Sequence, residues 1–384
     1  MAELYSLPDG WEWKELQFFG KFIRGVSYKK EQLLESLTND SFTLLRANNI
    51  QNELELDDIQ IVPKDVAKGK EIKDGDILFA MSSGSKHLVG KNILLNGLKN
   101  YTFGAFCSIY RNQKNDVLNN YYLSYVLKSN LYRDKLSGLS MGANINNLKS
   151  SDLEIMKIPL PPLEEQKRIV AKLDILFEKI DKAIDLHQKN IDEADIFMAS
   201  VLNDVFVKLE EKYEKKVWNE ILTIKNGKHY KDVIDENGKY PIYGSGGIMN
   251  YANNYICNED TVIIGRKGTI NSPIFVKEKF WNIDTAFGIE ANRNFLIPIF
   301  LFYFTKYFNF LDLNKSTTLP SLAKTHLLQI NMVVPPLPTQ QKVVSYLDEI
   351  SEKMEKIKNL QKDKMQSLKE LKASILDKAF KGEL

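Results

Sequence analysis

Apolar residues recur at spacings of three and four along two long stretches of the chain. In the first they are Val170, Leu173, Phe177, Ile180, Ile184, Ile191, Ala194, Met198, Val201 and Val205, with His187 as a polar interruption. In the second they are Val343, Leu347, Ile350, Met354, Ile357, Leu368, Leu371 and Ile375. Lys and Glu fill the other faces, so each stretch predicts a long helix with a heptad seam. Each opens on a double proline, Pro161-Pro162 and Pro335-Pro336, which suits a strand-to-helix turn. The stretches are copies. A shift of 174 positions sets Pro161, Pro162 and Leu163 on Pro335, Pro336 and Leu337, Gln166 on Gln340, Leu173 on Leu347 and Asp174 on Asp348. It also sets SVLNDVF (Ser200–Phe206) on SILDKAF (Ser374–Phe380). Each copy predicts a helix of about 46 residues, about 69 Å at ~1.5 Å per residue.

Two such helices should pair on each other, and a repeat fixes architecture before anything else does. The seam residues Leu173, Phe177, Ile180, Ile184 and His187, with Leu347, Met354 and Gln361, are candidates for the pairing or partner-binding face. His187 and Gln361 are equivalent under the shift and lie near the helix midpoints. Antiparallel helices related by a pseudo-twofold axis bring equivalent residues together only there. The intervening chain is too long for a hairpin loop and long enough for a domain.

Outside the helices the period changes. In residues 1–160, Phe42–Ile50 and Ile77–Met81 have strand character, the latter after the turn signal Asp74-Gly75-Asp76. Tyr101–Tyr110 reads as one further strand, and Asn119–Ser137 has helical spacing. Residues 208–334 repeat the plan. Lys216–Gly227 echoes Trp13–Gly25, Asp260–Ile264 mirrors Asp76–Ala80, Asn282–Ile289 reads as a strand, and Ile297–Phe310 as an aromatic helix. The shift of 184 that sets Asp260 on Asp76 also sets Gly268 on Gly84 and Thr269 on Ser85. The expected class is α/β (α+β). A globular block (1–160) and a helix (161–207) are followed by a second block (208–334) and helix (335–384).

Composition changes this picture little. Net charge is only +2, so any basic surface must be local. Cys107 and Cys257 form no CxxC pair, and a reduced cytosolic protein is expected. The longest apolar run, Phe295–Phe304, contains Pro298 and is too short to cross a membrane. Catalytic signals fail. Gly84–Asn92 misses the spacing and final residue of a phosphate-binding loop. Glu165-Gln166-Lys167 sits at a helix start with no acidic strand residue before it, which speaks against a nuclease triad. The double prolines lack the aromatic of an adenine methyltransferase loop. His87, His187, His229 and His326 are too scattered for a metal cluster. No cofactor, metal or catalytic residue is expected.

The motifs IPLPPLEEQKRIV, VVPPLPTQQKVV, DILFAMSSGSKHLVGK, IGRKGTI and GANINNLKSSDL with its partner STTLPSLAKTHL appear in an order that spans the chain. In that order the chain resembles the specificity (S, HsdS) subunit of Type I restriction–modification systems. Pro338-Thr339, where the first copy has Glu164-Glu165, departs from the motif without displacing it. The resemblance implies a non-catalytic subunit with two target recognition domains. Each would read one half of a split double-stranded DNA site around an unread spacer. It further implies an antiparallel coiled coil that separates the domains and carries methyltransferase subunits, two being expected. Restriction subunits would join through them, in the cytoplasm.

The residues support DNA reading on their own terms. Base edges are read by polar side chains on elements that fit the groove, and phosphates are held by cations, hydroxyls and backbone N–H groups. Arg266-Lys267-Gly268-Thr269 supplies both kinds directly after a strand. Ser82-Ser83-Gly84-Ser85-Lys86-His87, with Lys91, holds the matching place in the first block. Lys228, Tyr230 and Lys231, and Ser245 with Gly246, are further candidates.

Overall fold

The computed structural model describes residues 5–51, 53–82, 89–140, 147–314, 316 and 319–384, with backbone alone at 137–140. The chain packs as two compact units. One is Met1–Asp185 with Met365–Leu384, and the other is Leu186–Lys364.

Among the described residues each unit holds the same three sheets. In the first, an antiparallel sheet takes its strands in the order Gly20–Arg24, Cys107–Asn112, Ile77–Ala80, Asn92–Leu94. A second sheet orders Gln60–Pro63, Ser41–Leu45 and Tyr101–Phe103, with one antiparallel pair and one parallel pair. A ribbon joins Glu12–Glu15 to Lys157–Leu160. The second unit gives Leu222–Asn226, Ala286–Ala291, Thr261–Gly265, Ile274–Val276, again antiparallel. Its second sheet, Gly247–Ala252, Tyr240–Gly244 and Trp281–Asn282, has the same pair of senses. Its ribbon joins Lys215–Val217 to Asn331–Val333. The topology is therefore repeated although the side chains differ.

Three expected elements divide. Tyr101–Tyr110 is two strands, Tyr101–Phe103 and Cys107–Asn112, that enter different sheets. Asn282–Ile289 divides likewise into Trp281–Asn282 and Ala286–Ala291. Asn119–Ser137 is two helices, Asn120–Val126 and Asn130–Ser140. Asn119 caps the first of these, its side chain accepting from the N–H groups of Tyr121 and Tyr122. The aromatic helix of the second unit runs Pro298–Tyr307, with Pro298 in its first turn.

The long helices run Leu163–Glu210 and Leu337–Phe380. Both begin just after their double prolines. In the first unit Lys372 Nζ pairs with Asp181 at 2.8 Å, and the Arg168 guanidinium donates to the Leu384 carbonyl at 2.9 Å. The two helical segments there are antiparallel. The segments of the second unit are antiparallel too, with Lys358 Nζ 3.0 Å from Asp195 and His187 Nδ1 2.5 Å from Gln361 Oε1.

Each block's core is completed by both helices. Tyr122, Leu123 and Val126 cluster with Leu173, Phe177 and Ile180 of the first helix and with Leu376, Ala379 and Phe380 of the second. Phe300, Leu301 and Phe304 cluster with Val344 and Leu347, and with Leu202, Phe206 and Leu209. Phe206 and Phe380 are equivalent under the repeat and both fully buried, each removing an aromatic side chain from water for about 1.5–3 kcal/mol. The second seam needs correcting. Ile357 and Leu371 are exposed at 40% and 47%, and Val344, not Val343, is the buried neighbour of Leu347.

Candidate nucleic-acid interface

The motif glutamine that follows each double proline fixes the helix start. Gln166 is fully buried; its amide donates to the Val117 and Pro161 carbonyls, both at 2.9 Å, and its oxygen accepts from the Asn119 N–H at 2.8 Å. Gln340 does the same with the Phe295 and Pro335 carbonyls and the Ile297 N–H. A second pair of equivalents follows about two turns later. Tyr125 donates to Asp174 and Tyr303 to Asp348. These contacts hold each aromatic helix, and the sheets packed on it, in one orientation on the long helix.

In the second unit the strand Thr261–Gly265 ends against two other loops. A Cβ on Gly265 would stand 2.1 Å from the Thr269 carbonyl oxygen and 3.1 Å from Ser245 Cβ, so only glycine lets the loop curl here. The N–H groups of Arg266 and Lys267 both donate to the Thr285 carbonyl, at 2.8 and 3.4 Å. On the other flank Leu322 N–H donates to the Arg266 carbonyl and Gly268 N–H to the Pro320 carbonyl, each at 2.9 Å. Gly268 has φ +78°. The backbone is thus pinned on both sides, and the Arg266, Lys267 and Thr269 side chains are exposed. Lys228 joins this surface. Its N–H donates to the Asn282 carbonyl, and its side chain is exposed. Gly227 beside it has no room for a Cβ, which would lie 1.8 Å from the Ile283 carbonyl oxygen. So Lys228, Ser245, Gly246 and Arg266–Thr269 converge around the turn 283–285. Lys231 is exposed in the following short helix, while Tyr230 packs partly on Ile242 and Trp281.

The first unit builds the same frame. Met81 and Ser82 N–H groups donate to the Phe106 carbonyl at 2.9 and 3.1 Å, and Leu148 N–H donates to the Met81 carbonyl at 2.7 Å. Ser82 bridges to Asn147 as Lys267 bridges to Ser321. These bonds place Met81 where Arg266 stands and Ser82 where Lys267 stands. The register is therefore one residue away from the expected alignment of Gly268 with Gly84 and Thr269 with Ser85. Ser83, Gly84, Ser85, Lys86 and His87 lie outside the described residues. Lys91 is half-buried, with Nζ donating to Gln51 Oε1 at 3.0 Å. The sequence reading missed two residues of this surface. Phe106 stands 70% exposed at the turn between the two divided strands. Arg46, whose Cγ lies 3.9 Å from where a Gly104 Cβ would be, pairs with Asp58 at 2.6 Å. Reading Tyr101–Tyr110 as one strand hid that turn; Gly104 was its available signal.

Among the seam residues, Leu173, Phe177, Ile180 and Leu347 are buried, and Ile184, His187, Met354 and Gln361 are half-buried. Other apolar helix residues face solvent, among them Leu186 at 62% and its equivalent Leu360 at 52%. Reactive chemistry is sparse. Burial pushes the Cys107 and Cys257 thiols up to about 12, away from the thiolate that a nucleophile requires. Among the described residues no group of His, Cys, Asp and Glu could hold a metal, and no helix is long and apolar enough to cross a membrane. A cavity of about 470 Å³ at the first double proline is lined by Glu12 and Asp116, with Trp11, Val117 and Leu160.

What the arrangement can do is present cations, hydroxyls and backbone N–H groups on rigid loops, a donor set suited to phosphates and base edges. The chain is 44% identical over 178 residues to the EcoKI specificity subunit of Escherichia coli K12, a match covering 46% of this chain and 38% of that subunit. It is 23% identical to the putative MjaX specificity subunit of Methanocaldococcus jannaschii over 96% of this chain and 93% of that one. A solved chain from a study of complex assembly and conformational transition in a type I restriction–modification system superposes with a TM-score of 0.76 at 22% identity, covering 99% of this chain and all of that one. The HsdS subunit from Thermoanaerobacter tengcongensis gives 0.51 at 21% identity, with 99% of each chain covered. The family model for the Type I restriction modification DNA specificity domain matches residues 8–194 and 210–364. The chain belongs to the Type I restriction modification DNA specificity domain family.

Proposed function

We propose that this chain is the non-catalytic subunit that reads a bipartite double-stranded DNA target for a Type I restriction–modification complex. Each unit reads one half-site, and the bases between are unread. The observation that carries this is a repeated frame with unlike side chains. The pinned strand end carries exposed Arg266 and Lys267 in one unit, and buried Met81 with half-buried Ser82 at the same places in the other. Matching backbone frames that carry different side chains suit two readers of different sequences. The methyltransferase subunits, two by the internal symmetry, dock on the long helices, where Leu186 and Leu360 are exposed at equivalent positions. Restriction subunits assemble through that core, in the cytoplasm. The test is modified-base sequencing of DNA from cells that express the chain with its methyltransferase partner. A split methylated motif is expected, together with no methyl transfer by the chain alone in labelled S-adenosylmethionine. Methylation without a motif, or transfer by the chain alone, would overturn the reading.

A further inference from the structure

We propose that the turn joining the two divided strands is a base-reading position in both units, and that Phe106 in the first unit reads a thymine through its 5-methyl group. The inference rests on the DNA-binding reading above and names a specificity residue within it. Phe106 and Thr285 occupy the same place. Each carbonyl takes two N–H groups from the end of the neighbouring strand, Met81 and Ser82 in one case and Arg266 and Lys267 in the other. Beneath each turn lies a glycine with no space for a Cβ, Gly25 under Gly104 and Gly227 under Ile283. The backbone at both turns is therefore fixed, while the side chain at the tip is free to differ.

At Phe106 the difference is an aromatic ring 70% in water, between the fully buried Cys107 and the glycine-lined floor. A single exposed apolar side chain is ordinary on a protein surface. This one stands where its counterpart lies beside two exposed cations, next to Ser82 and near Arg46. A phenyl ring has no hydrogen-bonding atom, so it cannot read the oxygens and nitrogens of base edges. The apolar feature of the major groove is the thymine methyl, which aromatic and aliphatic side chains contact. Thr285, with a hydroxyl and a methyl, would read by hydrogen bonding at the matching place. Insertion of the ring between base steps would need unstacking and would not depend on the methyl group.

The experiment uses the full chain assembled with its methyltransferase partner. Its recognised duplex is compared with one in which every thymine of the first unit's half-site is replaced by uracil. That half is the one unchanged when residues 208–334 are exchanged for those of another family member. The wild-type complex should bind the uracil duplex about fourfold more weakly, the loss of one methyl contact of ~0.8 kcal/mol at tenfold per 1.4 kcal/mol. Phe106→Ala should bind the thymine duplex more weakly by a similar factor and no longer distinguish the two. Phe106→Leu should retain the preference. Melting of either variant should match wild type, because the side chain supports no core. Specific binding that ignores the methyl group, a Phe106→Ala complex that still discriminates, or a first half-site without thymine would overturn the assignment. Absence of any sequence-specific binding by the wild-type complex is a different failure and would remove the DNA reading itself.

Discussion

At the residue scale, the two motif glutamines do the most for their size. Gln166 satisfies two carbonyls and one N–H in a place closed to water. An unpaired buried polar group costs about 1–3 kcal/mol. Gln166→Ala should therefore lower the stability of the first unit by about 3 kcal/mol, read by hydrogen exchange on its helix Asn120–Val126. Gln166→Glu should fare no better, because a carboxylate accepts from Asn119 but cannot donate to Val117 or Pro161. A loss below about 1 kcal/mol would show that the lock is dispensable. The repeat made Gln166 and Gln340 visible in sequence, but not their burial, because a glutamine on a charged helix start reads as a surface residue. Tyrosines set the alkaline limit. Burial, then the bond to the neighbouring carboxylate, holds Tyr125 and Tyr303 well above the usual tyrosine value of 10, and burial raises Tyr110 and Tyr132 as well. The folded state thus keeps protons that the unfolded chain releases above pH 10. Stability contributed by these groups is complete below pH 10 and is lost as pH climbs from there through the folded values. Burial lowers Lys128 and Lys306, which act oppositely, but only until about 10.5, where the unfolded lysine has titrated. The urea midpoint should fall above pH 10.5, and less steeply in Tyr125→Phe/Tyr303→Phe. A midpoint unchanged to pH 11.5 would contradict this.

At the scale of elements, the loops follow from how strands end. Gly265 and Gly227 allow backbones to approach within carbonyl contact, and Thr285 then fixes the strand end of Arg266 and Lys267. The expected effects on DNA binding differ in kind. Arg266→Ala should cost about 1–3 kcal/mol on the cognate duplex and relax one position of the motif if its guanidinium reads a guanine. Lys267→Ala should weaken binding to all sequences and lower the salt slope by about one. Titrations at several salt concentrations separate the two; unchanged binding in both, with normal melting, would remove this loop from the interface. The long helices were legible because their period persists over many turns, the strand Ile77–Ala80 because an apolar run follows a turn signal, and Thr261–Gly265 because it mirrors that strand. The divided strands were not. In Tyr101–Tyr110 the apolar pattern continues through the turn, and in both Tyr101–Tyr110 and Asn282–Ile289 it is pairing with two different sheets that separates the halves. Exposed Ile357 and Leu371 mark a related limit. A seam written in heptads drifts on a straight helix of 3.6 residues per turn, and only packing selects the face.

At the scale of the whole molecule, order along the chain and order in packing differ. The sequence alternates block and helix, whereas each compact unit takes its own block, the start of the helix after it and the end of the other helix. Deleting residues 365–384 removes Leu376, Ala379 and Phe380 from the first core. Losing one such phenylalanine alone costs about 3–5 kcal/mol. Hydrogen exchange should then show residues 5–185 unprotected and 186–364 still protected; protection of both would mean that the helix end is not part of that core. Under the proposed reading, the same interleaving decides how a half-site should be exchanged. Replacing residues 208–334 with another family member's block keeps the host's Leu202 and Phe206 and asks a foreign aromatic helix to fit them. Replacing 186–364 moves both sides of that contact together. The cuts after Asp185 and Lys364 also leave Asp181–Lys372, Asp195–Lys358 and His187–Gln361 each within one parent. Both chimeras should change the same single half of the methylated motif, because both exchange the Arg266–Thr269 frame for the same donor loop. The 186–364 chimera should melt higher by several degrees, the effect of ~1–2 kcal/mol in a domain of this size. Modified-base sequencing and melting of the two chimeras check this. A change in both half-sites would show that the units do not read independently, and a less stable 186–364 chimera would show that the units are not the natural pieces of exchange.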